Sequence, residues 1–299
     1  MHPGERTVDT SSVILRGAHN EPGAPMSETT QRDASTGVAD NFTNTAKDYD
    51  AVVRHNVQGA NRLVTSLPEG DYRRVLDVGC GTGWSALAML ERFPGITHLT
   101  GVDPAQGMLD VFGAKLGELK GVQIDLRAED VMAMSVEAGG YDAVISSMAM
   151  HWFPDKAGAA VAMGRAVAPG GVLGILCSGT GGEYEFRRVL RDLDPPGPPE
   201  WDAAFDFVQR DVSDMETYLV DAGLEPIDIW MERRRRYSTP EAYLERMRVV
   251  ASHITAGNMT EDEVAQLLVR VQAGINAVSG PRGFEYTFTK LYAIARKPA

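Results

Sequence analysis

Cysteine is scarce in this 299-residue chain, which holds two thiols, Cys80 and Cys177. Both fall inside stretches that read as core elements, so a disulfide framework is excluded and a reducing cytoplasm is the simple inference. Metal-ligand spacing is lacking as well. The six histidines are scattered and neither cysteine has a partner nearby, so no metal is expected. Positive charge is in deficit, with 29 Lys and Arg against 41 Asp and Glu and a formal charge of −12. Binding a phosphate backbone normally requires a basic footprint, which argues against a DNA or RNA substrate. No apolar run approaches the ~20 residues that span a bilayer, nothing resembles a signal peptide, and no internal repeat is found, so no membrane partner is expected. What is present is ordinary for a globular protein: 43% hydrophobic and 23% charged residues, in a chain long enough for one α/β domain with insertions.

One stretch organises the rest. Arg74-Val75-Leu76-Asp77-Val78-Gly79-Cys80-Gly81-Thr82-Gly83-Trp84-Ser85-Ala86 runs from a short aliphatic segment through a carboxylate to three alternate glycines. Helical spacing follows at Leu87, Met89 and Leu90, so the reading is strand, tight turn, helix. Glycines suit a backbone that turns sharply and lets a ligand lie against the main chain. Such turns also serve NAD, FAD and ATP, and some bind nothing. Asp77 separates these readings, because a carboxylate directly before the glycines repels a pyrophosphate. S-adenosylmethionine has no phosphate and carries an ammonium with which a carboxylate pairs, directly or through water.

Asp77 to Gly83 resemble the first motif of the class I S-adenosylmethionine-dependent methyltransferases, and the likeness continues downstream in order. About twenty residues on, Leu99-Thr100-Gly101-Val102-Asp103 reads as a second strand ending in an acid placed for the ribose hydroxyls. Val122 to Ala128 reads as a third strand, and Glu129-Asp130 resemble the family's adenine-binding acid without a choice between the two. Tyr141 to Ser147 reads as the fourth strand, and Val167-Ala168-Pro169-Gly170-Gly171 resembles the Pro-Gly-Gly turn entering the fifth. The resemblance covers about residues 73 to 178. It implies a Rossmann-like, doubly wound α/β sheet of seven strands with the last antiparallel. It also implies a helical cap built from N-terminal helices and from insertions after strands 5 and 6. S-adenosyl-L-methionine is then the cofactor, held by Asp77, Gly79, Gly81, Gly83, Asp103, Glu129 or Asp130, Ser147 and Tyr49.

The rest of the chain divides around that core. Residues 1–38 are rich in Gly, Pro, Ser, Thr and charge and read as a disordered arm, with Met26-Ser27-Glu28 resembling a second start. The arm is also the plausible contact in a homo-oligomer. Residues 39–178 read as lid helices plus cofactor core, and 179–299 as substrate-cap insertions and remaining strands of the same domain. From Asp40 to Leu67, apolar residues recur at spacings of three and four, predicting one or two amphipathic helices. In the methyltransferases this chain resembles such a segment covers the cofactor, which implies that Phe42 and Tyr49 close over the ligand; simple helix packing is the alternative. Residues 179–212 read as a long connection, opened by Gly179-Thr180-Gly181-Gly182 and interrupted by Asp194-Pro195-Pro196-Gly197-Pro198-Pro199. Beyond Leu224 to Tyr237, which is strand-like, Thr239-Pro240 and Thr260 with Glu263 open two helices. In the second, Val264, Leu267, Leu268, Val271, Ile275 and Val278 form one stripe, and Phe284 to Ala295 closes the sheet.

His151, in Met148-Ala149-Met150-His151-Trp152-Phe153-Pro154 after the fourth strand, is the best-placed titratable group. A histidine there can deprotonate a hydroxyl or hold a carboxylate, and it can equally serve only to bond a backbone carbonyl. The aromatic residues Trp152, Tyr184, Phe186 and Trp201 are the candidate substrate pocket. Arg233-Arg234-Arg235-Arg236 alternates faces on a strand and reads as a solvated edge, with room for one arginine to meet an anionic substrate. Asn-Pro-Pro-Tyr, expected after the fourth strand in enzymes that methylate amino groups of bases, is absent. The function implied is methyl transfer to oxygen or carbon of a small, secondary-metabolite-type acceptor. The alternatives are an NAD-dependent oxidoreductase on a Rossmann fold and a catalytically silent methyltransferase-like binding protein.

Overall fold

The computed structural model describes residues 28–117, 121–196, 205–206, 209–256 and 260–299. Two helices, α1 (Glu28–Val52) and α2 (Arg54–Ser66), precede an alternating core of β1 (Arg74–Val78), α3 (Trp84–Arg92), β2 (His98–Val102), α4 (Gln106–Leu116), β3 (Gln123–Arg127) and β4 (Tyr141–Ser147). A single 3₁₀ turn at Met150–Trp152 leads to α5 (Lys156–Ala166), β5 (Val167–Ser178), α6 (Tyr184–Asp192), α7 (Val212–Asp221), β6 (Glu225–Ser238), α8 (Pro240–Ala256), α9 (Glu261–Val278) and β7 (Phe284–Arg296).

The seven strands form one sheet in the order β3-β2-β1-β4-β5-β7-β6. Strands β1 to β5 are parallel, and β7 runs antiparallel between β5 and β6. This is the expected Rossmann-like arrangement. Central parallel strands are covered on both faces, which is why β1 and β4 read as nearly unbroken apolar runs. One face is packed by α5 and α7 through Ala160, Met163, Met215 and Leu219. The other is packed by α2, α3 and α4 through Val64, Met89, Leu109 and Phe112.

A third apolar cluster seats the cap on the end of β7, and it joins Phe284, Tyr286 and Phe288 of β7, Phe186 and Leu190 of α6, Tyr243 and Met247 of α8, and Leu267, Val271 and Ile275 of α9. These last three lie at i, i+4 and i+8, so α9 buries a narrower stripe than expected, leaving Leu268 and Val278 exposed. The capping box at its start is present. Thr260 Oγ accepts from the Glu263 N–H, and Glu263 Oε2 accepts from the Thr260 N–H.

Two expectations need correction. Helix α1 reaches back to Glu28, inside the stretch read as disordered, while residues 1–27, with the Met26 start, lie outside the described residues. The connection after β5 contains a full helix, α6, whose apolar period at Phe186, Val189 and Leu190 is real but short and flanked by glycines and prolines. Local breakers obscured a helix that the cap core stabilises.

Candidate active site

The carboxyl ends of β1 to β4 open onto a cavity of about 980 Å³, covered by α1 and α2. The turn after β1 is what makes room. Gly79, Gly81 and Gly83 all have positive φ, a region that costs a side-chain-bearing residue about 1–2 kcal/mol. A Cβ on Gly81 would meet nothing within 4 Å, so the floor there is open space, whereas one on Gly83 would lie 2.0 Å from the Phe112 ring. Gly81 thus shapes the cavity and Gly83 lets the loop pack on α4.

Asp103 closes the end of β2. Its Oδ2 accepts from the Gly81 N–H at 2.8 Å and its Oδ1 from the Ala105 N–H at 2.9 Å, so the carboxylate ties the glycine turn to the next loop. Burial pushes its pKa up to about 6, against the pull of those two donors. Asp77 sits deeper. It is 0% exposed and does not line the cavity; Ser85, which does, donates to its Oδ2 at 2.7 Å, and Oδ1 has no hydrogen-bond partner. Burial, with Asp103 adding repulsion, raises Asp77 to about 7. Asp77 therefore stands behind the wall with Ser85 between it and the cavity, so that of the two routes expected, direct or through water, the structure leaves the indirect one. Gly83 likewise supports the turn without lining the cavity.

Tyr49, Gly79, Gly81, Asp103, Glu129, Asp130 and Ser147 do line it. Glu129 and Asp130 each spend one oxygen on a loop N–H, from Ser135 at 2.6 Å and Met132 at 2.8 Å respectively, so both remain candidates for the adenine contact. The lining has three carboxylates and no Lys, Arg or His. That donor set suits a ligand with an ammonium and a sulfonium and repels a pyrophosphate. It fits S-adenosylmethionine and disfavours a nicotinamide dinucleotide.

Sequence reading missed two residues here. Asp50, on α1, accepts from Thr82 Oγ at 2.6 Å and Trp84 Nε1 at 2.9 Å and pairs with Lys115, fastening the lid helix to the glycine turn. Partial burial pushes its carboxyl up, but the bonds from Lys115, Thr82 and Trp84 outweigh this and hold it below the usual range. Asn56, just past the break between α1 and α2, lines the cavity with a buried Oδ1 that has no hydrogen-bond partner. Asp50 carries no local signal, since Thr82 and Trp84 lie 32 and 34 residues away in sequence.

A second cavity of about 750 Å³ adjoins the first, under α8 and the start of α6. Phe42, Tyr49, Asn56, Met148 and Trp152 line both, and they mark where the two spaces meet. Phe42 packs edge-on against Tyr49 and Trp152, with centroids 5.9 Å apart in each pair. Met148, at that junction, holds φ at +57°, an uncommon conformation for a non-glycine residue. His151 is buried, packs against Trp152 at 4.8 Å, and lines the second cavity only. Across the space, Arg246 donates to Glu183 Oε1 and Tyr243 to Glu183 Oε2, at 2.8 and 2.7 Å.

Of the expected substrate aromatics, Trp152 is in place. Tyr184 is corrected: it is 57% exposed on the outer face of α6 and lines neither cavity. Phe186 is also corrected, being buried in the cap's own core, where Tyr243 and Phe205 contact it. Trp201 lies outside the described residues. Among the described residues there is no cluster able to hold a metal ion, and no helix long and apolar enough to cross a membrane.

The fold and this acidic, glycine-floored cavity define an S-adenosylmethionine-binding domain. Residues 75–171 match the family described as a methyltransferase domain. It is 26% identical over 253 residues to a trans-aconitate 2-methyltransferase of Azoarcus sp. (strain BH72), covering 83% of this chain and 97% of that protein. It is 32% identical over 166 residues to the biotin biosynthesis bifunctional protein BioHC of Teredinibacter turnerae, covering 52% of this chain but only 29% of that protein's length. A putative methyltransferase of Bacillus halodurans C-125 shares the fold, with a TM-score of 0.58 and 20% identity over 81% of this chain and all of that one.

The raised pKa of Asp103 has a measurable consequence. Its ionised form accepts hydroxyl donors and attracts a cation, so ligand binding favours the deprotonated carboxyl. S-adenosylhomocysteine, which keeps the ribose and the ammonium, is expected to bind with constant affinity above pH 8 and to weaken as pH falls through about 6. From Asp103 alone the loss between pH 8 and pH 5 is roughly tenfold. A flat calorimetric profile over that range removes the ionised carboxylate from recognition.

Proposed function

We propose that the protein transfers a methyl group from S-adenosylmethionine to an oxygen of a small organic acceptor held in the second cavity. The observation that carries this reading is the junction of two cavities, one acidic and glycine-floored, the other holding His151, at a shared wall of Phe42, Tyr49, Asn56, Met148 and Trp152. When bound, S-adenosylmethionine supplies an electrophilic methyl on a sulfonium. The chain's own residues then have three tasks. Phe42, Tyr49 and Trp152 exclude water from the junction, Asn56 and Met148 fix the approach, and His151 takes the proton of a hydroxyl or anchors a carboxylate. Holding two reactants in line is worth about 7–11 kcal/mol where the geometry is near attack, so a proton acceptor adds to catalysis without being its only source. The relative named for trans-aconitate, a tricarboxylic acid, supports an acidic acceptor. Transfer to carbon is the second reading, favoured by the aromatic wall, whose π faces stabilise a developing cation.

A labelled methyl donor offered with a panel of small carboxylic acids, phenols and prenylated arenes tests both. Expected is label on an oxygen. His151→Gln should keep S-adenosylhomocysteine affinity and lower turnover by about 10²-fold, in the range of a lost acid–base group. Label on carbon with His151→Gln unchanged favours the second reading, and unchanged turnover on oxygen removes His151 from the chemistry.

A further inference from the structure

The arginine run on β6 is expected to be a solvated edge; Arg233, Arg234 and Arg235 are exposed, whereas Arg236 is half-buried. In the antiparallel register Glu232 stands opposite Lys290, Arg234 opposite Phe288 and Arg236 opposite Tyr286. Directly opposed residues share a face, and so do residues two apart on a strand, so Arg234, Arg236 and Lys290 project to one side. Helix α2 crosses that side and brings Arg62, and between helix and strands lies a cleft of about 1260 Å³.

Its lining has five cations, Arg62, Arg234, Arg235, Arg236 and Lys290, against the single carboxylate of Glu232. Glu232 is shared by two of them, with Arg62 Nε at 3.5 Å and the Arg234 guanidinium at 3.7 Å. Arg236 Nε is buried without a hydrogen-bond partner. Lys290 is only 6% exposed, and burial, reinforced by Arg236 and opposed by Glu232, lowers its pKa to about 8. In a chain whose overall charge is −12, this concentration of like charge works against itself unless an anion joins it. Arg235 is paired outside the cleft with Glu285 at 3.5 Å, but Arg62 and Arg234 share the one lining carboxylate and Arg236 Nε has no partner, and the arginine fork matches phosphate oxygens.

The cleft adjoins the second cavity at Phe288. Phe288 lines both, and on α2 Asn56 faces the cavity while Gln58, Gly59 and Arg62 face the cleft. We propose that the cleft between α2 and the β6–β7 ribbon binds a phosphate group of diphosphate class, carried at the far end of the acceptor whose reacting end lies beside His151. This rests on the reading of the second cavity as the acceptor site.

Calorimetry with inorganic diphosphate, inorganic phosphate and citrate on the full chain at low salt tests it, with S-adenosylhomocysteine titrated into each preparation. Expected is one diphosphate per chain, bound at least tenfold tighter than citrate, with at least a tenfold loss in the double variant Arg234→Gln, Arg236→Gln and unchanged S-adenosylhomocysteine affinity. Arg233→Gln, on the opposite face of the strand, should leave diphosphate binding within twofold. Should the double variant lose S-adenosylhomocysteine binding through misfolding, Arg62→Gln on α2 takes its place with a loss of at least threefold. No diphosphate binding, binding indifferent to these arginines, or citrate bound as tightly as diphosphate overturns the site. Failure of the wild type to bind S-adenosylhomocysteine counts instead against the methyl-transfer reading, and leaves the diphosphate result to be judged on its own.

Discussion

Asp103→Ala is expected to weaken S-adenosylhomocysteine binding by at least about 100-fold. Two tasks are expected of the carboxylate. It is the acceptor at the end of β2 available to ribose hydroxyls, and it accepts the N–H groups of Gly81 and Ala105, which hold the two loops that form the cavity floor. Hydrogen bonds to a charged group contribute about 1.5–3 kcal/mol each, so losing a pair corresponds to a factor of roughly 10² or more. Thermal stability should fall little, because Asp103 is itself costly to keep ionised, its pKa being pushed up to about 6 by burial. Asp103→Asn, which keeps the shape and one acceptor oxygen, should lie between the two. Calorimetry that finds Asp103→Ala within threefold of the wild type would sink the assignment of β2's terminal acid to the cofactor.

Gly83→Ala should produce the largest loss of stability of any single methyl addition in the core turn. Two penalties add. At φ +87° a Cβ costs about 1–2 kcal/mol in the backbone, and here it would also stand 2.0 Å from Phe112 Cδ2, in a ring that is fully buried between α4 and the sheet. Overpacking of that kind costs a further 1–3 kcal/mol or so, since Phe112 has nowhere to retreat. A melting temperature lowered by roughly 5–15 °C follows. Gly81→Ala is the contrast: its φ is +51° and nothing lies within 4 Å of the new methyl, so only the backbone penalty applies and the methyl intrudes on the cavity. Stability should fall little and cofactor affinity markedly. Equal melting temperatures for the two variants would contradict the packing of the turn on α4.

Much of this was legible because its physics is local. A strand, a sharp turn and a helix lie within thirteen consecutive residues, Arg74 to Ala86, and a carboxylate ending the next strand follows at the distance one βα unit requires. The apolar runs of the parallel strands, the Pro at the head of α8 and the capping box of α9 are likewise read from neighbours in the chain. Tyr184 and Phe186 show the limit. Aromatic residues in a long connection look alike in sequence, yet one turned to solvent and the other into a cap core whose other members lie up to a hundred residues away.

The sequence by itself determined the class of sheet, the cofactor turn and the acid at each strand end, since these depend on contacts between near neighbours and on the charge the ligand carries. Only the tertiary structure decided that Asp77 stands behind Ser85, that Asp50 fastens the lid to the glycine turn, that His151 faces the second cavity and not the first, and that Arg234 and Arg236 look into a cleft with Lys290. Each of these rests on elements distant in the chain meeting across the sheet, where burial and opposing charge, rather than spacing, set what a side chain can do.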